Sequence, residues 1–162
     1  MDHDIESRFA KSFTGQLYAV ATEKCVPLRL SSKKDKWGWG FTPEDDWLMA
    51  GGDRESIPLS FTFDSQTQDR LHYHINLAQQ PHKKLGRSIG RYLGFYVRAQ
   101  VTDYWKIEPL ELTAGGLLCH MRDHEGNLVR ALKDTPHFSG QTMYLLNASE
   151  GDVLVFLLQQ SG

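Results

Sequence analysis

Two cysteines in 162 residues, no apolar run that approaches membrane length, and not one Asp or Glu between Arg70 and Thr102 are the scarcities that shape this chain. Cys25 and Cys119 stand far apart and outside any C-x-x-C spacing. Neither a zinc knuckle nor a disulfide framework is expected, and both read as small buried hydrophobes in a reducing cytoplasm. A membrane-spanning helix takes about 20 consecutive apolar residues, which no segment offers. The opening, Met1-Asp2-His3-Asp4-Ile5-Glu6, is acidic where an export signal is basic and then apolar. The expectation is a protein neither exported nor anchored. Catalytic signatures are missing too: there is no G-x-S-x-G elbow, no P-loop and no G-x-G-x-x-G, and neither cysteine sits in an active-site setting. Gly86, Gly90 and Gly94 have G-x-x-x-G spacing, but flanking arginines exclude a membrane dimer motif. Asp45 and Asp46 read as a solvated turn. No cofactor is implied.

What is present is an ordinary globular composition, 40% hydrophobic with 11% aromatic, sized for one domain with its own core. The net charge of −2 argues against a nucleic-acid binder until its distribution is considered. Acids crowd into Glu44, Asp45, Asp46, Asp53 and Glu55, whereas the acid-free window carries Arg70, Lys83, Lys84, Arg87, Arg91 and Arg98 with His72, His74 and His82. A nearly neutral chain can still present one positive face.

Along the chain, Ile5, Phe9 and Phe13 fall at i, i+4 and i+8 behind Asp2 or Asp4, which predicts a short capped helix. The period then drops to two. Strands are expected at 16–22 and 25–30, with Pro27 pushing the second to an edge or bulge. Residues 31–36 read as a polar loop, and the stretch from Trp37 to Gly52 as loop with one strand at most. Further strands are expected at 57–63 and 70–77, where Leu71, Tyr73, Ile75 and Leu77 face inward and Arg70, His72, His74 and Asn76 outward. Leu85, Ile89, Leu93 and Tyr96 recur at helical spacing, but the interleaved glycines cost a helix about 1 kcal/mol each, so this segment reads as an arm or a helix. Apolar runs at 107–112, 116–121, 142–146 and 152–158 complete seven or eight short strands, the pattern of a barrel or sandwich. No internal repeat is visible.

Two side-chain sets could carry chemistry. His72 with His74, and His120 with His124, are a candidate metal set, but a metal needs three or four converging ligands, so no metal is assigned. The basic window is sharper. Lys83, Lys84, Arg87, Ser88 and Arg91 suit phosphates and guanine, while Asn76, Gln79, Gln80 and His82 add polar readers. Ser31, Ser32, Lys33, Lys34 and Lys36 beside Trp37 form a second such cluster.

Three segments, Leu28 to Pro43 (L-R-L-S-S-K-K-D-K-W-G-W-G-F-T-P), Asp69 to Tyr92 (D-R-L-H-Y-H-I-N-L-A-Q-Q-P-H-K-K-L-G-R-S-I-G-R-Y) and Thr113 to Asn127 (T-A-G-G-L-L-C-H-M-R-D-H-E-G-N), resemble the B3-like DNA-recognition domain of EcoRII-type restriction endonucleases. Glu150 to Leu158 (E-G-D-V-L-V-F-L-L) resembles the last strand of plant B3 domains. The resemblance implies a mostly β, seven-stranded pseudobarrel with one or two short helices that grips the major groove of double-stranded DNA. Ser31 to Trp37 fall in an N-arm, and Asn76 to Arg91 in a C-arm richer in glycine than the family pattern. The nuclease of that family lies in a separate domain, so this chain would be the recognition module. The rival expectation is a β-barrel enzyme or small-ligand binder, with His72, His74 and Asn76 lining a pocket near Tyr73 or Trp39.

Overall fold

The computed structural model describes residues 1–21, 24–30, 46–51, 55–95, 103–132 and 143–161. The helix α1, His3–Phe9, is capped by Asp2, whose carboxylate accepts from the backbone N–H of Asp4 at 2.8 Å and of Ile5 at 3.3 Å. It ends before Phe13, which opens a strand and stacks on Phe61 with ring centroids 4.8 Å apart. The i+8 member of the helical pattern therefore belongs to the sheet.

Among the described residues thirteen strands follow: β1 Phe13–Ala21, β2 Lys24–Leu30, β3 Asp46–Gly51, β4 Leu59–Gln66, β5 Leu71–Leu77, β6 Leu85–Arg87, β7 Leu93–Phe95, β8 Trp105–Thr113, β9 Gly116–Arg122, β10 Arg130–Leu132, β11 Met143–Asn147, β12 Asp152–Val153 and β13 Val155–Gln160. The protein is mostly β and antiparallel, with one short helix, but thirteen strands form where seven were expected. Four of the additional strands, β6, β7, β10 and β12, are only two or three residues long, too short to show a period in sequence.

Pairing contains a pattern that the sequence does not display. β1 pairs with β4, β4 with β5, β5 with β8, β8 with β9, β9 with β13, and β13 returns to β1. Between the members β1/β4, β5/β8 and β9/β13 lie the antiparallel pairs β2/β3, β6/β7 and β10/β11. One pairing unit thus occurs three times, although no sequence repeat announces it. The strand that holds Pro27 is not an edge strand, since β2 pairs with both β1 and β3. Pro27 faces Tyr18 of β1 at the point where β2 passes on to β3, whose first partner is Leu28.

The core is one cluster that draws Ile5 and Phe9 of α1 together with strand residues from Leu17 to Leu158. Tyr73 is buried among Phe13, Phe61 and Phe63, and its hydroxyl donates to the Phe9 carbonyl, which ties α1 to β5. Of the two thiols, Cys119 is buried in β9, which pushes its pKa up to about 12, while Cys25 is exposed rather than buried as expected. A thiol reagent at about pH 8 is expected to take one equivalent quickly and the second only on unfolding. Two fast equivalents would show that β9 opens. Among the described residues no helix is long and apolar enough to cross a membrane.

Candidate functional site

Strand β5 alternates as its sequence demands. Leu71, Tyr73, Ile75 and Leu77 are buried, and the other face carries His72, His74 and Asn76. That outer face is only partly open to water: the His74 side chain is 31% exposed, whereas His72, with β4 and β8 on either side and a tyrosine ring over it, is only 6% exposed. His72 stands opposite Ser65 of β4 and Lys106 of β8. The ring of Tyr104 lies flat on its imidazole, with centroids 4.4 Å apart and planes 5° from parallel. Ser65 Oγ is 2.7 Å from Asp64 Oδ2 and 3.0 Å from His72 Nδ1, and His74 Nε2 is 3.2 Å from Asp64 Oδ1. The hydrogen bonds from Ser65 and His74 hold the Asp64 carboxyl below its ordinary range. Burial, and then the nearby Lys106 charge, lower the pKa of His72.

The direction of these bonds follows from counting protons. Asp64, ionised, only accepts, so the one Ser65 hydroxyl proton goes to it, and Ser65 Oγ accepts from His72 Nδ1–H. His72 is then the Nδ1–H tautomer, with a lone pair on Nε2. That atom is closed to solvent and has no hydrogen-bond partner among the described residues, and the same holds for His74 Nδ1. The polarity is the reverse of a nucleophile and base pair, where the imidazole takes the hydroxyl proton, so Ser65 is not activated.

The expected C-arm is folded back rather than extended. Asn76 Nδ2 donates to the Pro81 carbonyl at 2.8 Å, and Leu77 N to that of Lys83 at 3.0 Å, closing a loop that exposes Gln79, Gln80 and His82 and leaves Lys83 and Lys84 half-buried. Burial lowers the pKa of Lys84, which Asp103 and Asp64 partly offset. Residues 85–95 are the hairpin β6/β7, not a helix. Leu85 and Leu93 are buried, β7 pairs with β3, and Trp105 Nε1 donates to the Leu85 carbonyl at 3.1 Å. At the tip, Ser88 exchanges backbone and side-chain bonds with Tyr92, Arg91 takes φ +66°, and Ile89 is 100% exposed. Asn147 Nδ2 donates to the Gly90 carbonyl at 2.9 Å and Ala148 N to that of Arg91 at 2.8 Å, which fastens the tip to the last residue of β11 and the one after it.

Arg87, the expected guanine reader, is held by Asp123 and by Glu125, the latter at 2.6 Å. Arg70 and Arg122 both reach Glu108, at 3.4 and 3.1 Å, and His120 Nδ1 lies 3.3 Å from it. Burial raises the Glu108 carboxyl, but the bonds from Arg122 and His120 outweigh it, and its pKa ends lowered. His124 faces Asp103 and Glu125, and among the described residues no three His, Cys, Asp or Glu converge as a metal set. Ser31, Ser32, Lys33, Lys34, Lys36 and Trp37 of the expected N-arm, like Trp39, lie outside the described residues. Tyr73 belongs to the core, on the far side of β5 from His72.

Sequence reading missed Asp64, Ser65, Tyr104 and Lys106. The alternation of Trp105 and Ile107 inward marks Lys106 as outward, but only the β5/β8 register sets it against His72. Comparison with protein-family models, with curated proteins and with solved structures finds no match to this chain.

Proposed function

We propose that this chain is a binding protein for a small polar ligand, held on the wall formed by β4, β5 and β8 around His72. One observation carries the reading: a histidine only 6% exposed, fixed on one nitrogen, stacked by a tyrosine, and bare on the other nitrogen among the described residues. A buried acceptor without a partner costs about 1–3 kcal/mol. Departures of this kind from a satisfied interior concentrate where a fold serves a ligand. The ring of six pairings reads as the wall of a barrel to which three antiparallel strand pairs are attached, a frame on which side chains from three strands keep fixed positions.

Duplex DNA is the second reading, as in the recognition domain of a restriction enzyme, and it keeps an observation of its own. The hairpin tip sets fully exposed Ile89 near Arg91, an apolar wedge and a cation of the sort that enter a groove. Lys83 and Lys84 would then act on phosphates. Arg87 would have to leave two carboxylates to read a base.

Nuclear magnetic resonance titration separates the two. Small polar molecules are expected to give saturable shifts at His72 and Tyr104, and duplexes no sequence-selective binding. Selective duplex binding overturns the proposal if it carries a salt slope of about −0.9 per phosphate contact, is lost in Ile89→Ala/Arg91→Ala, and leaves His72 unmoved.

A further inference from the structure

We infer that the ligand of the His72 wall is a neutral hydroxyl-bearing molecule, a sugar or polyol, which donates an O–H to His72 Nε2; the inference rests on the binding reading above. The argument is proton supply. His72 spends its one proton on Ser65, because Ser65 spends its own on Asp64. What Nε2 presents is a lone pair, so the ligand brings the donor. Phosphates and phosphodiesters offer mainly acceptors at neutral pH, and to be bound here they would need His72 protonated. The groups around it oppose that. Burial, Lys106 and Arg70 all disfavour the imidazolium, and only Asp64 favours it. His74 repeats the arrangement: Asp64 can only accept from its Nε2, and its Nδ1 is closed to solvent and bare among the described residues.

The remaining chemistry fits the same class. Lys106, cross-strand from His72 on β8, supplies a donor for the oxygen of a hydroxyl group, which both donates and accepts. Tyr104 supplies a flat ring suited to the C–H face of a sugar. Nε2 is closed in this state, so the ligand enters as the Tyr104 ring gives way. That ring lies just ahead of β8, flat on the His72 imidazole.

The test starts on the unaltered protein. Long-range ¹⁵N–¹H spectra of the histidines read the His72 tautomer directly, with Nδ1 expected protonated and Nε2 not. The chain is then titrated with D-glucose, D-galactose, D-mannose, N-acetylglucosamine, glycerol and inorganic phosphate. At least one neutral member is expected to move the Nε2 signal saturably while phosphate does not. His72→Phe is expected to weaken that binding about tenfold or more, the loss of one good hydrogen bond. Binding is expected to fade as the pH falls through the His72 pKa, below 6.5, where Nε2 gains a proton and stops accepting.

Should His72→Phe unfold, the tautomer and the wild-type titration still decide. A proton found on Nε2 of free His72 overturns the inference. Phosphate binding with protonation of His72 also overturns it but leaves the binding reading standing. If no member of the panel moves His72, and an internal water alone satisfies Nε2, both readings fall.

Discussion

Replacing Asp123 by alanine is expected to cost the fold about 3–5 kcal/mol, the usual consequence of removing one partner from a buried charge pair. Asp123 is 1% exposed and accepts from the backbone N–H of Glu125 at 3.0 Å, from that of Asn127 at 2.8 Å, from Asn127 Nδ2 at 3.1 Å and from Arg87. The turn it organises is closed by Asp123 N to the Asn127 carbonyl at 3.0 Å and carries Gly126 at φ +93°. Without the carboxylate, three donors of the turn lose their acceptor and a guanidinium 15% exposed keeps only Glu125, which is 51% exposed and screened by water. Arg87→Ala removes the ion pair but leaves Asp123 its three donors from the turn, so it should cost less than Asp123→Ala. The double variant should cost clearly less than the sum, because the second change removes a group already unpaired. Urea unfolding midpoints of the four proteins measure this. Strict additivity would mean that the pair contributes nothing, and Arg87 would return as a candidate base reader.

That pair shows where sequence reading stopped. The window from Arg70 to Thr102 lacks acids, and from this the sequence suggests a free basic face. The next residue is Asp103, and the acids that fold against the window come from there to Glu125: Glu108 takes Arg70, Asp123 and Glu125 take Arg87, and Asp103 faces Lys84. A linear charge count is blind to partners some 38 residues away that register brings adjacent. The alternation of β5 was legible because its period of two is a property of seven consecutive residues. Residues 85–95 were misleading for a related reason. Leu85, Ile89 and Leu93 recur every four positions, which suits a helix, yet two of them are the opposed arms of a hairpin and the third its exposed tip. Asp64 is the extra residue of a bulge in β4 between Phe63 and Ser65, where strict alternation breaks.

Gly151→Ala is expected to be among the most damaging added methyls in the described residues, at about 2–6 kcal/mol from two separate sources. The residue sits at φ +109°, a conformation that costs a side chain roughly 1–3 kcal/mol. A Cβ there would also stand 2.2 Å from the Ala131 carbonyl oxygen and 2.7 Å from its carbon, backbone atoms that cannot swing aside. Overpacking of that kind adds about 1–3 kcal/mol. Gly126→Ala is the control, since it sits at φ +93° but its nearest neighbour is the mobile end of Arg70 at 3.7 Å, so only the conformational part applies. The damage at Gly151 should spread. Asn147 Oδ1 caps this turn by accepting from Ser149 N at 2.8 Å and Glu150 N at 2.9 Å, while its Nδ2 holds the Gly90 carbonyl at the β6/β7 tip. Amide hydrogen exchange in Gly151→Ala is therefore expected to rise at Ala148, whose N–H bonds to the Arg91 carbonyl, as well as along β10 and β12. The pairing of β5 with β4, and with it the His72 wall, should keep its protection. Equal losses for the two glycine variants would deny the close approach of β10 to the turn, and loss of protection in β5 ahead of the tip would show that the wall depends on the clamp.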